Sequence, residues 1–386
     1  MRIGRFELRG PLCLALAAGV ALAGCETQEL NPPPPDQIRA DAGTVVDARE
    51  IVALVPSRPA ADRLRSAAAG QGFVLRELSP LSGLDMWMVR FQIPEPLDGP
   101  GAIAALETIE PTATAGVNHA YTVAAATGTD RFDYATALMD WPAGGCPAHG
   151  PIGMLDTGVD ASLAARSGAD IVTHSFARGT PGPDAHGTEV ASILVDPRRL
   201  HDVTLYSAGV IARSARGREE AGVDSILKAL DWMAEEGVRV VNVSLAGPYN
   251  KLLDRGVDRA VAKGMTIVAA VGNDGADGAP RYPAALGNVI AVTAVDADGQ
   301  IYRKAVRGPY VDVAAPGVDI YAAGRFVSGT SMAVPFVTAR IAADPDLYPA
   351  PTASIRKQLS ASARDLGLPG RDTVYGAGLV LAKPGC

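Results

Sequence analysis

The sequence predicts an α/β protein: a mainly parallel sheet with helices on both faces, preceded by a small α+β domain. Three observations carry this. From Ile152 onward, apolar strand-like runs alternate with amphipathic helical stretches, the βαβα order that builds parallel sheets. Val238–Leu245 is strongly β in composition, and Met265–Val271 and Val289–Val295 are almost continuously apolar, as strands buried on both faces are. Upstream, residues 50–123 read strand, helix, strand, strand, helix, strand, the ferredoxin-like pattern.

The N-terminus comes first. Arg2, Arg5 and Arg9 precede an apolar run from Leu12 to Ala23, a charged leader and a hydrophobic stretch too short to span a bilayer. It closes on Leu22-Ala23-Gly24-Cys25, which resembles a bacterial lipobox. That resemblance implies a signal peptide over residues 1–24 and a lipid on Cys25. The alternative is an ordinary secretory signal with a chance cysteine. Residues 25–49 then form a tether, because Pro32 to Pro35 favour extended polyproline II. With the signal removed and Cys25 lipidated, Cys146 and Cys386 are the remaining thiols. In an oxidising compartment they are a disulfide candidate; two free thiols are the alternative. The net charge of −7 leaves no basic footprint for nucleic acid.

In residues 50–123, Glu50–Val55 is the first strand. Ser57 and Pro59 suit the start of a helix over Ala60–Ala69, ended by Gly70. Phe73–Leu78 follows as a strand. Trp87, Val89, Phe91 and Ile93 alternate onto one face of the next. Ala102–Ile109 is the second helix and Thr114–Val123 the last strand. No catalytic cluster appears here. Residues 124–147 read as a linker, small and polar at Ala124–Thr129 and turn-rich at Pro142–Pro147.

Residues 148–386 hold the chemistry. Ile152–Leu155 is a strand, His186–Val195 a helix and Val203–Ala208 a strand. Asp224 or Ser225 caps a helix carrying Ile226, Leu227, Leu230 and Met233, stopped by Gly237. A further helix carries Leu253, Val257, Ala260 and Val261 and stops at Gly264. Ligands of parallel sheets sit at the carboxyl ends of the strands. Asp156 follows a strand directly, Ser244 lies near the end of one, and Asn273 follows another.

A serine hydroxyl is a poor nucleophile and needs a base within hydrogen-bond reach. His186 supplies an imidazole that titrates near neutrality. Asp156 can fix its tautomer. Ser331 opens a helix through Met332-Ala-Val-Pro335, whose N-terminus favours an oxyanion. Pro335 is expected in the first turn, where N–H groups lack partners anyway. Asp156-Thr-Gly alone is also the signature of aspartic proteases, but these pair two such motifs and no second copy occurs.

The order Asp156, His186, Ser331 is that of the subtilisin type of serine protease. Together with His186-Gly-Thr-Glu-Val-Ala-Ser192, Val271-Gly-Asn273-Asp-Gly275, Val311-Asp-Val-Ala-Ala-Pro-Gly-Val318 and Ser328-Gly-Thr-Ser331-Met-Ala-Val-Pro335, it identifies a resemblance to the subtilase family from residue 150 to about 383. The resemblance implies a subtilisin-like fold and a serine endopeptidase acting through an acyl-enzyme. Asn273 would be the second oxyanion donor, and Ser244, Leu245, Ala246 and Gly247 would pair with an extended peptide substrate. It implies no cofactor for the chemistry and leaves structural calcium open; no metal site stands out in the sequence. The first domain resembles the propeptide that assists folding and then inhibits, so a self-made first cut is expected between Tyr121 and Cys146. Two departures touch specificity. Ala246 stands where the family often has glycine, and Arg281, opposed by Asp274, lies near the first specificity pocket; the alternative is that Arg281 points to solvent. A non-catalytic binding lipoprotein of this fold would lack one of the four site residues, and all are present. A protease dedicated to one surface protein remains open. Glu26, in place of the aspartate that often retains lipoproteins in the inner membrane, favours the outer membrane in a cell that has one.

Overall fold

The computed structural model describes residues 45–123, 126–127, 133–213 and 217–383. The first unit runs β1 (Glu50–Val55), α1 (Arg58–Ala69), β2 (Val74–Leu81), β3 (Met86–Gln92), α2 (Gly99–Ile109) and β4 (Thr114–Val117). Its antiparallel sheet has the order β2-β3-β1-β4. Strand alternation divides β1 between two cores. Ile51, Ala53 and Val55 face Leu64 and Leu106 of α1 and α2. Val52 and Leu54 face the opposite way, into the core that holds Ile226, Leu230 and Val257 of the second unit. The second helix starts at Gly99, earlier than the sequence predicts. Asp98 caps it, accepting the Gly101 amide at 2.8 Å, and Pro100 is at ease in a first turn.

The last predicted strand is two strands. After β4 the chain turns at Asn118 and His119, and β5 (Ala120–Val123) leaves the first sheet for the second unit. Both turn residues are buried and held from a distance. The Asn118 amide donates to Glu50 Oε1 at 3.0 Å and to Asp224 Oδ1 at 2.9 Å, while the Asn250 amide donates to His119 Nδ1 at 2.9 Å. Next come β6 (Ala126–Thr127), α3 (Tyr134–Leu138) and β7 (Cys146–Pro147). The later part of the expected linker is therefore built into the second unit. Ala135, Met139, Trp141 and Cys146 bury their side chains in its core.

The second unit continues with β8 (Ile152–Asp156), α4 (Ser162–Ser167), β9 (Asp170–Ser175), α5 (Ala185–Leu194), β10 (Leu200–His201), β11 (Thr204–Gly209), β12 (Ala212–Arg213), β13 (Glu219–Gly222) and α6 (Val223–Glu235). It ends with β14 (Val240–Val243), β15 (Leu245–Ala246), α7 (Lys251–Ala262), β16 (Thr266–Ala270), β17 (Ile290–Val295), β18 (Val313–Pro316), β19 (Ile320–Ala322), β20 (Arg325–Ser328), α8 (Thr330–Ala342) and α9 (Thr352–Ser362). Seven parallel strands lie in the order β18-β17-β16-β14-β8-β11-β9. Val268 and Ala270 share a core with Val334, Val337 and Ile341 of α8. Ile267 and Ala269 share the other core with α6 and α7. Strand order reverses at β8, and in open parallel sheets that is where a ligand crevice opens.

Two local expectations change. The cap of α6 is Gly222, because the Asp224 carboxylate is engaged by Asn118. Pro335 lies in the second turn of α8, not the first. It withholds the N–H that Ser331 O would otherwise receive, and Ser244 Oγ donates to that carbonyl at 3.1 Å instead.

Candidate active site

Asp156 ends β8 at the sheet's switch point and is fully buried. Its Oδ1 accepts the Thr157 amide at 2.7 Å. The Gly187 amide donates to Thr157 Oγ1 at 2.7 Å, so α5 begins hard against the end of β8. Only glycine fits at 187, since a Cβ there would lie 2.4 Å from Gly158 O. The close approach brings His186 Nδ1 to 2.6 Å from Asp156 Oδ1. Burial opposes the imidazolium, but the Asp156 charge and hydrogen bond outweigh it, with Glu189 adding. His186 therefore titrates above its ordinary 6.5. Its Nε2 is buried and has no hydrogen-bond partner among the described residues.

Ser331 is the second residue of α8, with Oγ 3.4 Å from Ser244 O. Among the described residues no hydrogen bond joins that hydroxyl to His186 Nε2. Asn273 follows β16 past Gly272, whose φ of 97° favours glycine. Thr330 holds the Asn273 amide by its oxygen, donating from N at 3.1 Å and from Oγ1 at 3.0 Å. The Nδ2 is left buried and unpartnered among the described residues, the disposition of a donor kept for a transient anion.

Two strands from the chain ahead of α3 pair with strands that adjoin these groups. On one side β5 lies antiparallel between β13 and β15, with Tyr121 opposite Ala221, Thr122 opposite Ala246 and Val123 opposite Leu245. On the other side β6 pairs with β20, with Ala126 opposite Ser328. Tyr121 is fully buried and its hydroxyl donates to Pro248 O at 3.2 Å. A Cβ on Gly247 would lie 2.3 Å from the Tyr121 ring, so glycine at 247 makes this pocket. Leu245 and Ala246 thus pair with β5, and Ser244 and Gly247 flank them.

Arg281 and Asp274 do not oppose each other across a pocket. Arg281 Nε binds Asp274 Oδ2 at 2.7 Å, so each charge is answered by the other. Sequence reasoning missed β13, Tyr121 and Thr330. Thr330 stood beside the serine, but nothing local marks Tyr121 as more than one residue of a strand. Cys25 and Cys386 lie outside the described residues. Cys146 is buried and disulfide-bonded, with the partner sulfur also outside them.

The family model described as the subtilase family matches residues 151–378. The chain belongs to the subtilase family. Subtilisin DY of Bacillus licheniformis is 35% identical over 253 residues, 60% of this chain and 89% of the relative. Subtilisin Savinase of Lederbergia lenta is 33% identical over 251 residues, 60% and 88% of the two chains. This subtilase is accordingly a serine endopeptidase of the subtilisin type. Its fold is similar to that of fervidolysin from Fervidobacterium pennivorans, a keratinolytic enzyme related to subtilisin, at a TM-score of 0.70 and 20% identity. That likeness covers 88% of this chain and 60% of the other, so it reaches beyond the subtilase match into the first unit.

Proposed function

We propose that this subtilase is an exported, lipid-anchored zymogen that cuts its own chain, with Asp156, His186 and Ser331 as the catalytic residues. Ser331 Oγ attacks the scissile carbonyl while His186 Nε2 takes its proton, and Asp156 holds Nδ1–H and supports the imidazolium. The Asn273 Nδ2 and the Ser331 amide donate to the oxyanion. Collapse of the tetrahedral adduct expels the amine, protonated by His186. Water, activated by the same histidine, then releases the acyl group. Substrates are proteins or peptides added as a strand between β13 and β15, as β5 lies.

One observation supports the zymogen reading: β5 and β6 pair as a substrate strand would with β15, next to Ser244, and with β20, which leads to Ser331. This supports a first cut between Val123 and Ala126, inside the expected window from Tyr121 to Cys146. The first unit then stays as an inhibitor. Its contacts favour that role: Arg178 Nη1 binds Glu50 Oε1 at 2.7 Å, Lys228 pairs with Glu77, and Asp231 Oδ1 accepts the Leu84 amide at 2.9 Å. Export to an oxidising compartment agrees with a disulfide on Cys146, for which Cys386 is the proposed partner. Cys25 is the proposed lipid site, with the outer membrane as destination; loss of the protein from membrane fractions on Cys25→Ser tests it. Ser331→Ala tests the rest. Loss of the nucleophile costs about 10⁶-fold in turnover in this enzyme type, so the purified variant should stay whole and inactive. Normal maturation of that variant, free of other proteases, would sink the proposal.

A further inference from the structure

Glu189 lies on α5 one helical turn after His186, so the two side chains are neighbours on that helix. Its side chain is 3% exposed. A carboxylate so buried is costly unless paired. The pair is Arg325 of β20, half-exposed, which donates from both Nε and Nη2 to Glu189 Oε1. A second tie runs beside it: Ser192 Oγ of α5 donates to Glu189 O at 2.8 Å and accepts the Ala323 amide at 3.2 Å. Both ties fasten the histidine helix to the β19–β20 hairpin. That hairpin pairs with β6 and runs through Gly329 and Thr330 into Ser331. The charged groups acting on His186 are Asp156 from β8, Glu189 from its own helix and Arg325 from β20.

We infer that Glu189, paired with Arg325, is a positioning residue for the base: it locks α5 to the wall of the cleft beyond the cut and adds to the negative charge that Asp156 presents to the His186 imidazole. The inference rests on the proposal that His186 is the general base. The two members of the pair act on the imidazole with opposite sign. A neutral Glu189 withdraws support from the imidazolium, and a neutral Arg325 exposes the histidine to an unanswered carboxylate.

The test uses the full chain carrying Ser331→Ala, with the His186 imidazole titrated by NMR. Glu189→Gln should move the midpoint to lower pH and Arg325→Gln to higher pH, because the two charges act on the imidazole with opposite sign. The double variant should return close to the parent. Arg325 is half-exposed, so its variant keeps the test alive if Glu189→Gln does not fold. Midpoints that stay fixed, or that move the same way in both single variants, would overturn the inference. In processed enzyme with Ser331 intact, the acid limb of kcat/KM should move with the same signs. Failure of the catalytic reading looks different: the unmodified chain would show no Ser331-dependent hydrolysis, while the titration would still judge Glu189.

Discussion

Replacing Tyr121 by alanine should free the cleft from its own chain. The Tyr121 side chain is fully buried, its ring packs on Gly247, and its hydroxyl donates to Pro248 O. Truncating a buried aromatic to alanine costs about 3–5 kcal/mol. The hydrogen bond adds about 1 kcal/mol at most, since Pro248 O can turn to water once the pocket opens. At about 1.4 kcal/mol per decade, the population with β5 detached should rise by about 10²–10⁴-fold. The assay is amide hydrogen exchange in the Ser331→Ala chain, which stays whole and keeps cleavage out of the measurement. Amides of β13 and β15 should exchange faster by that factor, while those of β16 and β17 in the sheet centre should not change. A uniform change across the sheet would mean that Tyr121 supports the whole fold, not the occupied cleft. A change below about five-fold at β13 and β15 would refute the packing argument.

Three further outcomes follow from the site. Asn273→Ala should lower kcat by about 10²–10³-fold with little change in KM; a KM effect alone would mean that the amide binds ground-state substrate. The acid limb of kcat/KM should lie above pH 6.5, because His186 must be neutral to accept a proton and its pKa is raised. Leaving of the first unit lifts part of the burial that opposes the imidazolium, so a limb at or below pH 6 would contradict the Asp156 pairing. Mapping of non-reduced peptides should find Cys146 joined to Cys386, and reduction should lower the melting temperature of the processed enzyme. Two alkylatable thiols at these positions would end that pairing.

The candidate site was legible because it sits in short segments whose glycines mark close approaches. His186-Gly187 and Val271-Gly272-Asn273 announce themselves by their glycines, and the structure explains these by the tight approach of Gly187 to Gly158 and the φ of 97° at Gly272. What escaped the sequence depends on partners far along the chain. Asn118 and His119 break the last strand of the first unit because Glu50, Asp224 and Asn250 receive them. The same engagement takes Asp224 away from the capping role its type suggests. Gly99-Pro100-Gly101 looks like a turn until Asp98 is seen to cap it. Arg281 and Asp274 looked like rival specificity charges, because nothing in their spacing says that the loop closes them on each other. Ala135, Met139 and Trp141 are too scattered to read as an element, yet each fills the larger core.

Pro335 has a consequence for how force is shared in the cleft. The carbonyl of Ser331 hangs from Ser244 Oγ, and Asn242 Nδ2 donates to that hydroxyl at 3.0 Å. The first turn of α8 is thus hooked to Ser244 at the end of β14 as well as to its own helix. Under the proposed mechanism, a peptide that pulls on Leu245 and Ala246 would pull on the peptide group of Ser331 as well, and the two would shift as one body. A helix with an ordinary residue at 335 would offer Ser331 O a donor of its own and let the attacking group and the strand that aligns its target drift separately. Pro335, inside an unbroken helix, would by that mechanism keep reagent and target in register.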